Sequence, residues 1–199
     1  MASGGIARSR LAEERKSWRK NHPHVRAPHH DLATCFLALF LGVLANFICL
    51  FPRNGTLVLL GFLQGFVAKP ETLTDGSVNL MIWQCVIPGK QGTDWEGGYF
   101  PLTLQFDDNY PTTPPVCKFP AGFFHVNVYD SGLVCLSILG DAWKPSITVK
   151  QVLIGIQELF DDPNPNSAAQ HRCYELYKKN MAEYKKRVRE QTKRYPSRV

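Results

Sequence analysis

Along this chain the spacing of apolar residues changes from every second position to every third or fourth, and that change limits the fold more than any other feature. Phe100, Leu102, Leu104 and Phe106 alternate with Pro101, Thr103 and Gln105. This is the period of a half-buried strand, whose successive side chains point to opposite faces. Val149, Val152, Leu153, Ile156, Leu159 and Phe160 instead fall on one face of a helix. Residues 122–145, between them, show neither period and read as loop.

The other segments complete an α+β order of helix, sheet, long loop and helices. Residues 6–20 hold no Gly or Pro and carry Leu11 and Trp18 seven positions apart, so they read as a helix with one narrow apolar stripe and a wide basic face, ended by His22-Pro23. Thr74-Asp75-Gly76-Ser77 is a hairpin turn signal ahead of an apolar strand at 80–87. Tyr110-Pro111-Thr112-Thr113-Pro114-Pro115 cannot continue a central strand and reads as a rigid turn before a strand at 116–119. Thr148-Val149-Lys150-Gln151 predicts a capping box at the start of one helix. Ser167-Ala168-Ala169-Gln170 predicts a second, opening a helix through about residue 179. A last helix puts Met181, Tyr184 and Val188 on one side.

With 20% charged and 44% hydrophobic residues the composition is globular. The net charge of +6 asks for acidic partners, and nucleic acid is the first to weigh. The basic residues gather in stretches 8–20 and 178–198, without an interleaved aromatic stacking motif. A solvated helix face or a docking surface for an acidic protein is therefore preferred to a nucleic-acid groove. The cysteines (Cys35, Cys49, Cys85, Cys117, Cys135 and Cys173) include no C-x-x-C pair, which argues against a metal site and against a disulfide framework. The first apolar run begins only near Leu32, so no secretory signal is read and a reducing compartment is expected.

A lone cysteine is usually a small buried hydrophobe, and Cys85 and Cys117, in strands, fit that description. Cys135 sits in the aperiodic loop. His125, ten residues earlier, invites a Cys/His protease reading, but nothing supplies the rest of such a signature. The run Phe124-His125-Val126-Asn127-Val128-Tyr129-Asp130-Ser131-Gly132-Leu133-Val134-Cys135-Leu136-Ser137-Ile138-Leu139 instead resembles the active-site motif of the ubiquitin-conjugating (E2) family. There an H-P-N tripeptide precedes the acceptor cysteine by about eight residues. Tyr110-Pro111-x-x-Pro114-Pro115 upstream and Trp143-x-Pro145 downstream match in order and spacing. The basic first helix, the loop Pro88-Gly89-Lys90-Gln91-Gly92-Thr93 and the segment Val128-Tyr129-Asp130-Ser131-Gly132 are similar to the SUMO branch. The resemblance spans residues 1–24 and 65–199.

What the resemblance implies is an E2 fold: an N-terminal helix, a four-stranded antiparallel sheet and three C-terminal helices. It implies a transferase that accepts SUMO from the activating enzyme as a thioester on Cys135 and hands it to substrate lysines. No bound cofactor or metal is implied, since ATP is used upstream by the activating enzyme. Asn127 matches the residue that stabilises the oxyanion or orders the active-site loop. Tyr129, Ser167, Ala169, Gln170 and Tyr174 match the channel for the incoming lysine, and His125 matches a structural histidine that bonds its own loop. Arg15, Arg19 and His22 match a surface for non-covalent SUMO and for the activating enzyme. SUMO, activating enzyme, SUMO ligases and substrate proteins are the implied partners, nucleic acid is not, and nucleus and cytoplasm are the implied locations.

Several positions depart from the family pattern: Val126 stands for Pro, Ser167 for Asp, Ala168 for Pro, and the loop at 140–142 is two residues short. Val116 stands for Lys and Leu133 for Thr, at positions associated with reading an acidic residue of the substrate. These changes keep a second reading open, a weakened member that acts as a scaffold for SUMO or ligases.

Residues 25–64 interrupt the pattern. Positions 32–51 hold no Asp, Glu, Lys, Arg or His, which by length and polarity is a transmembrane candidate. A span there would put the first helix and its sheet on opposite sides of a bilayer. The segment could instead be a retained intron: its borders fit splice sites, it keeps the frame, and T-rich codons translate as apolar residues. The intron reading is preferred to a membrane-tethered enzyme.

Overall fold

The computed structural model describes residues 3–21 and 65–196. The predicted segment 25–64 and His22 lie outside the described residues. The first helix, α1, runs Ser3–Asn21 and buries Ala7, Leu11 and Trp18, the stripe read from the seven-residue spacing. Four strands follow: β1 (Val67–Thr72), β2 (Val78–Pro88), β3 (Tyr99–Gln105) and β4 (Val116–Lys118). They form one antiparallel sheet in chain order. The β1–β2 turn closes as predicted, with the Leu73 amide donating to the Ser77 carbonyl and Asp75 accepting from the Ser77 amide.

Register explains the core. Ala68, Cys85 and Leu102 lie in one cross-strand row, and Trp83, Leu104 and Cys117 in another, and all six are buried. Helix α1 packs on β1 and β2. Its Glu14 fixes the dock: one carboxylate oxygen accepts from Tyr110 Oη (2.6 Å) and Arg10 Nε (2.8 Å), the other from the Val149 amide (2.6 Å).

Helix α2 (Val149–Asp161) carries the predicted capping box in full, Thr148 Oγ1 accepting from the Gln151 amide and Gln151 Oε1 from the Thr148 amide. Its apolar face is buried at all six predicted positions. Burying each such side chain contributes about 1.5–3 kcal/mol before the entropic cost of ordering it. Helices α3 (His171–Lys179) and α4 (Met181–Thr192) complete the fold. Among the described residues no helix is long and apolar enough to cross a membrane.

Two expectations change. The second capping box does not form: Ser167 ends a 3₁₀ turn (Pro165–Ser167), Ala168 is extended, and α3 starts only at His171, with no side-chain cap from Gln170. The groups that would cap have other partners. The Ala169 and Gln170 amides donate to the Val126 carbonyl, and the Gln170 side chain donates to Phe123 and Asp130. The 122–145 loop is also less irregular than its sequence. Leu133 bridges Lys118 of β4, Val128 bridges Val134, and Ser137–Leu139 forms a 3₁₀ turn.

Candidate active site

Cys135 follows directly on the segment that adds to β4. A tight turn brings that segment back, the Gly132 amide donating to the Tyr129 carbonyl at 2.8 Å. Gly132 has φ near +90°, and a Cβ there would meet the Phe119 carbonyl oxygen at 2.0 Å, so only glycine fits. The Cys135 amide then donates to the Asn127 carbonyl at 2.8 Å. Beyond it the 3₁₀ turn packs on α2, where Gly155 leaves room for Ile138.

Asn127 is fully buried, and its amide is fully used. Nδ2 donates to the carbonyls of Asn164 (2.7 Å) and Ser167 (2.9 Å), with Ser167 Oγ at 3.3 Å, and Oδ1 accepts from the Asn164 amide at 2.9 Å. Two donors and one acceptor therefore pin the turn at 164–167 to the strip that carries Cys135.

His125 supports Asn127 from beneath. The Asn127 amide donates to His125 Nδ1 at 3.0 Å, so Nδ1 must be unprotonated and Nε2 carries the hydrogen, which points to the Leu159 carbonyl at 2.9 Å. This tautomer is neutral. Burial pushes the imidazole pKa down to about 4, only partly offset by the Leu159 carbonyl. A sealed ring with both nitrogens engaged cannot act as a general base on substrate, which removes the Cys/His protease reading.

Val126, where the resemblance expects a proline, is buried, and its carbonyl accepts from Ala169 (2.8 Å) and Gln170 (3.3 Å). Those bonds fix the segment that a proline ring would otherwise stiffen. Gln191 of α4 clamps the strip upstream, accepting from the Phe124 amide at 2.6 Å and donating to its carbonyl at 3.1 Å.

The four described cysteines separate clearly. Cys85, Cys117 and Cys173 are buried; burial pushes the first two thiols well up and that of Cys173 up to about 12. Cys135 alone of the four is partly accessible.

Of the other residues expected along the lysine channel, Tyr129 is exposed, while Ser167, Ala169 and Tyr174 are half-buried. Gln170 is different. It is buried, and its amide ties Asp130 to the start of α3 (Nε2 to Oδ1, 2.9 Å), so it holds the loop rather than lining an open channel. Arg15 and Arg19 sit on α1, half-buried and exposed respectively. The sequence reading missed Asn164, whose backbone meets both ends of the Asn127 amide. An Asn-Pro pair between two helices was the available signal, since it starts turns.

A family model described as ubiquitin-conjugating enzyme matches residues 63–192. The chain is 54% identical to SUMO-conjugating enzyme SCE1 of Arabidopsis thaliana over 201 aligned positions, covering 100% of both chains. It is 45% identical to Sumo-conjugating enzyme ubc9 of Dictyostelium discoideum, over 96% of this chain and 97% of that one. With SUMO-conjugating enzyme UBC9 of Caenorhabditis elegans it shares 42% identity, over 96% of this chain and 92% of that one. With its motif cysteine accessible, its α+β architecture and these matches, the chain belongs to the ubiquitin-conjugating enzyme family.

Proposed function

We propose that this protein is a SUMO-conjugating enzyme that takes SUMO from the activating enzyme as a thioester on Cys135 and transfers it to lysines of substrate proteins. One observation carries the reading. Among four described cysteines, the family-motif cysteine is the accessible one, and it stands on a strip immobilised by Asn127 and His125.

The chemistry asks for little more. The Cys135 thiolate attacks the carbonyl of SUMO's C-terminal thioester on the activating enzyme, and that enzyme's own thiolate leaves. A substrate lysine amine then adds to the new thioester carbonyl, the carbon–sulfur bond to Cys135 breaks, and the amine's proton passes to water. The product is an isopeptide bond. A thiolate leaves readily, so positioning and loss of the amine proton are the main demands on the protein. The committed amide of Asn127 supports its role as the group that orders the 164–167 turn beside the thioester. Tyr129 and Tyr174 would wall the lysine's approach and disfavour its charged form.

Incubation with SUMO, activating enzyme and ATP should give a thiol-sensitive adduct on non-reducing gels. Cys135→Ser should abolish it or replace it with a thiol-resistant oxyester. A thiol-sensitive band that survives Cys135→Ser would show the assignment to be wrong.

A further inference from the structure

Exposed apolar side chains crowd around Cys135. Of the seven large hydrophobic residues exposed among the described ones, three are Val116 (46% exposed), Leu133 (39%) and Tyr129 (44%). Lys118 bridges Leu133, and the Val134 amide donates to the Cys117 carbonyl. Continuing that antiparallel register sets Val116 across from Cys135. Alternation puts Val116, Lys118, Leu133 and Cys135 on one face, because Cys117 and Val134 between them are buried. The Tyr129 amide donates to the Leu133 carbonyl, which brings the exposed ring to the same edge.

We infer that this patch selects substrates, and that it favours an apolar residue two positions from the acceptor lysine. The inference rests on the thioester reading of Cys135. In an extended peptide the residue two positions away lies on the same side, roughly 6–7 Å off. Leu133 is likewise two strand positions from Cys135. A peptide whose lysine reaches Cys135 therefore sets that neighbour on the patch of Val116 and Leu133. Lys118 flanks the patch and would draw a carboxylate, but an exposed ion pair is weak and screened by salt. Covering valine and leucine removes apolar surface from water on both partners, and this effect dominates.

Charge the full-length protein with SUMO, isolate the adduct from activating enzyme and ATP, and follow its discharge to short lysine peptides. The panel carries Leu, Ala or Glu at the position two before or two after the lysine. Leu should exceed Glu about tenfold at one of the two positions, the size of effect one or two buried carbons give. Glu equal to or faster than Leu at both positions overturns the inference while leaving the thioester function intact. Failure to charge Cys135 at all overturns the function and the inference together. In the double variant Val116→Lys, Leu133→Thr the Leu preference should collapse, and an unchanged preference would refute the assignment to this patch.

Discussion

Among the described residues, acidification should weaken this fold first through His125, before the exposed carboxylates contribute. Its ring is fully buried and neutral, with Nδ1 accepting from the Asn127 amide and Nε2 donating to Leu159. The folded pKa is about 4, against 6.5 for an ordinary histidine. A depressed folded pKa means that the unfolded chain binds the proton first, so stability is complete above pH 6.5 and is lost as pH falls toward 4. From those two values, the loss between pH 7 and pH 4.5 is about 2–3 kcal/mol, and it grows a little further below pH 4. The exposed carboxylates of Asp75 and Glu175 are held below their ordinary values of 3.8 and 4.5 by hydrogen bonds to Ser77 and Lys179 respectively, so they act mainly below this window. Urea unfolding at steps from pH 7.5 to 4.5 measures the slope directly. His125→Gln should be less stable at pH 7 but nearly flat across the range. A wild-type curve that is flat from pH 7 to 4.5, or a slope that persists in His125→Gln, would refute the assignment. The proton would also abolish the acceptor for the Asn127 amide, so the first segment to loosen should be the one that carries Cys135. Hydrogen exchange at Asn127 and Cys135 near pH 5 would reveal that.

Glu14→Ala should destabilise the protein by about 2–4 kcal/mol in denaturant titration, because it strips the buried Tyr110 hydroxyl and the α2 N-terminus of their acceptor. Ser167→Asp should speed lysine discharge of the preformed thioester about tenfold without changing its formation, if a carboxylate there contributes about 1.4 kcal/mol in the transition state. Unchanged single-turnover discharge would leave Ser167 only its contact with Asn127. Joining residue 24 to residue 65 should raise soluble yield and leave charging of Cys135 intact, since α1 meets β1 and β2 directly. Lost charging, with a folded domain by circular dichroism, would make residues 25–64 a working part.

The fold was legible wherever burial is one-sided. The 100–106 alternation, the 149–160 face and the seven-residue stripe of α1 each reached the core as read, because a single period decides which side chains lose water. The Ser167–Gln170 capping box failed for the opposite reason. Its local pattern was sound, but the amides at 169 and 170 found the Val126 carbonyl some forty residues back in the chain. Local propensity is a weak prior against such tertiary partners. The site divides in the same way. Cys135, Asn127 and the structural role of His125 came from the motif and its family resemblance, whereas the link of Asn127 to the Asn164 backbone has no sequence signal beyond an Asn-Pro pair. Gln170 was placed in the channel by the family resemblance, yet its side chain is buried and bonded to Asp130.

That division bears on how the site works. Asn127, Ser167, Ala169 and Gln170 carry no ionisable side chain, and the motif's own histidine, His125, is held neutral with both ring nitrogens engaged. The side-chain amides of Asn127 and Gln170 are spent on holding the loop, from Asn127 to the 164–167 turn and from Gln170 to Asp130. This suits a reaction whose leaving group is already good, where a fixed geometry lowers the barrier more than a proton carrier would. The same packing holds the segment with valine at position 126. A proline there would restrict one dihedral, whereas the two hydrogen bonds onto the Val126 carbonyl and the complete burial of its side chain fix the same strip from outside. Stiffness at this site is thus a property of the packed segments 123–135 and 164–170 acting together. A substitution that keeps those bonds should spare activity, and one that keeps the residue type but breaks them should not.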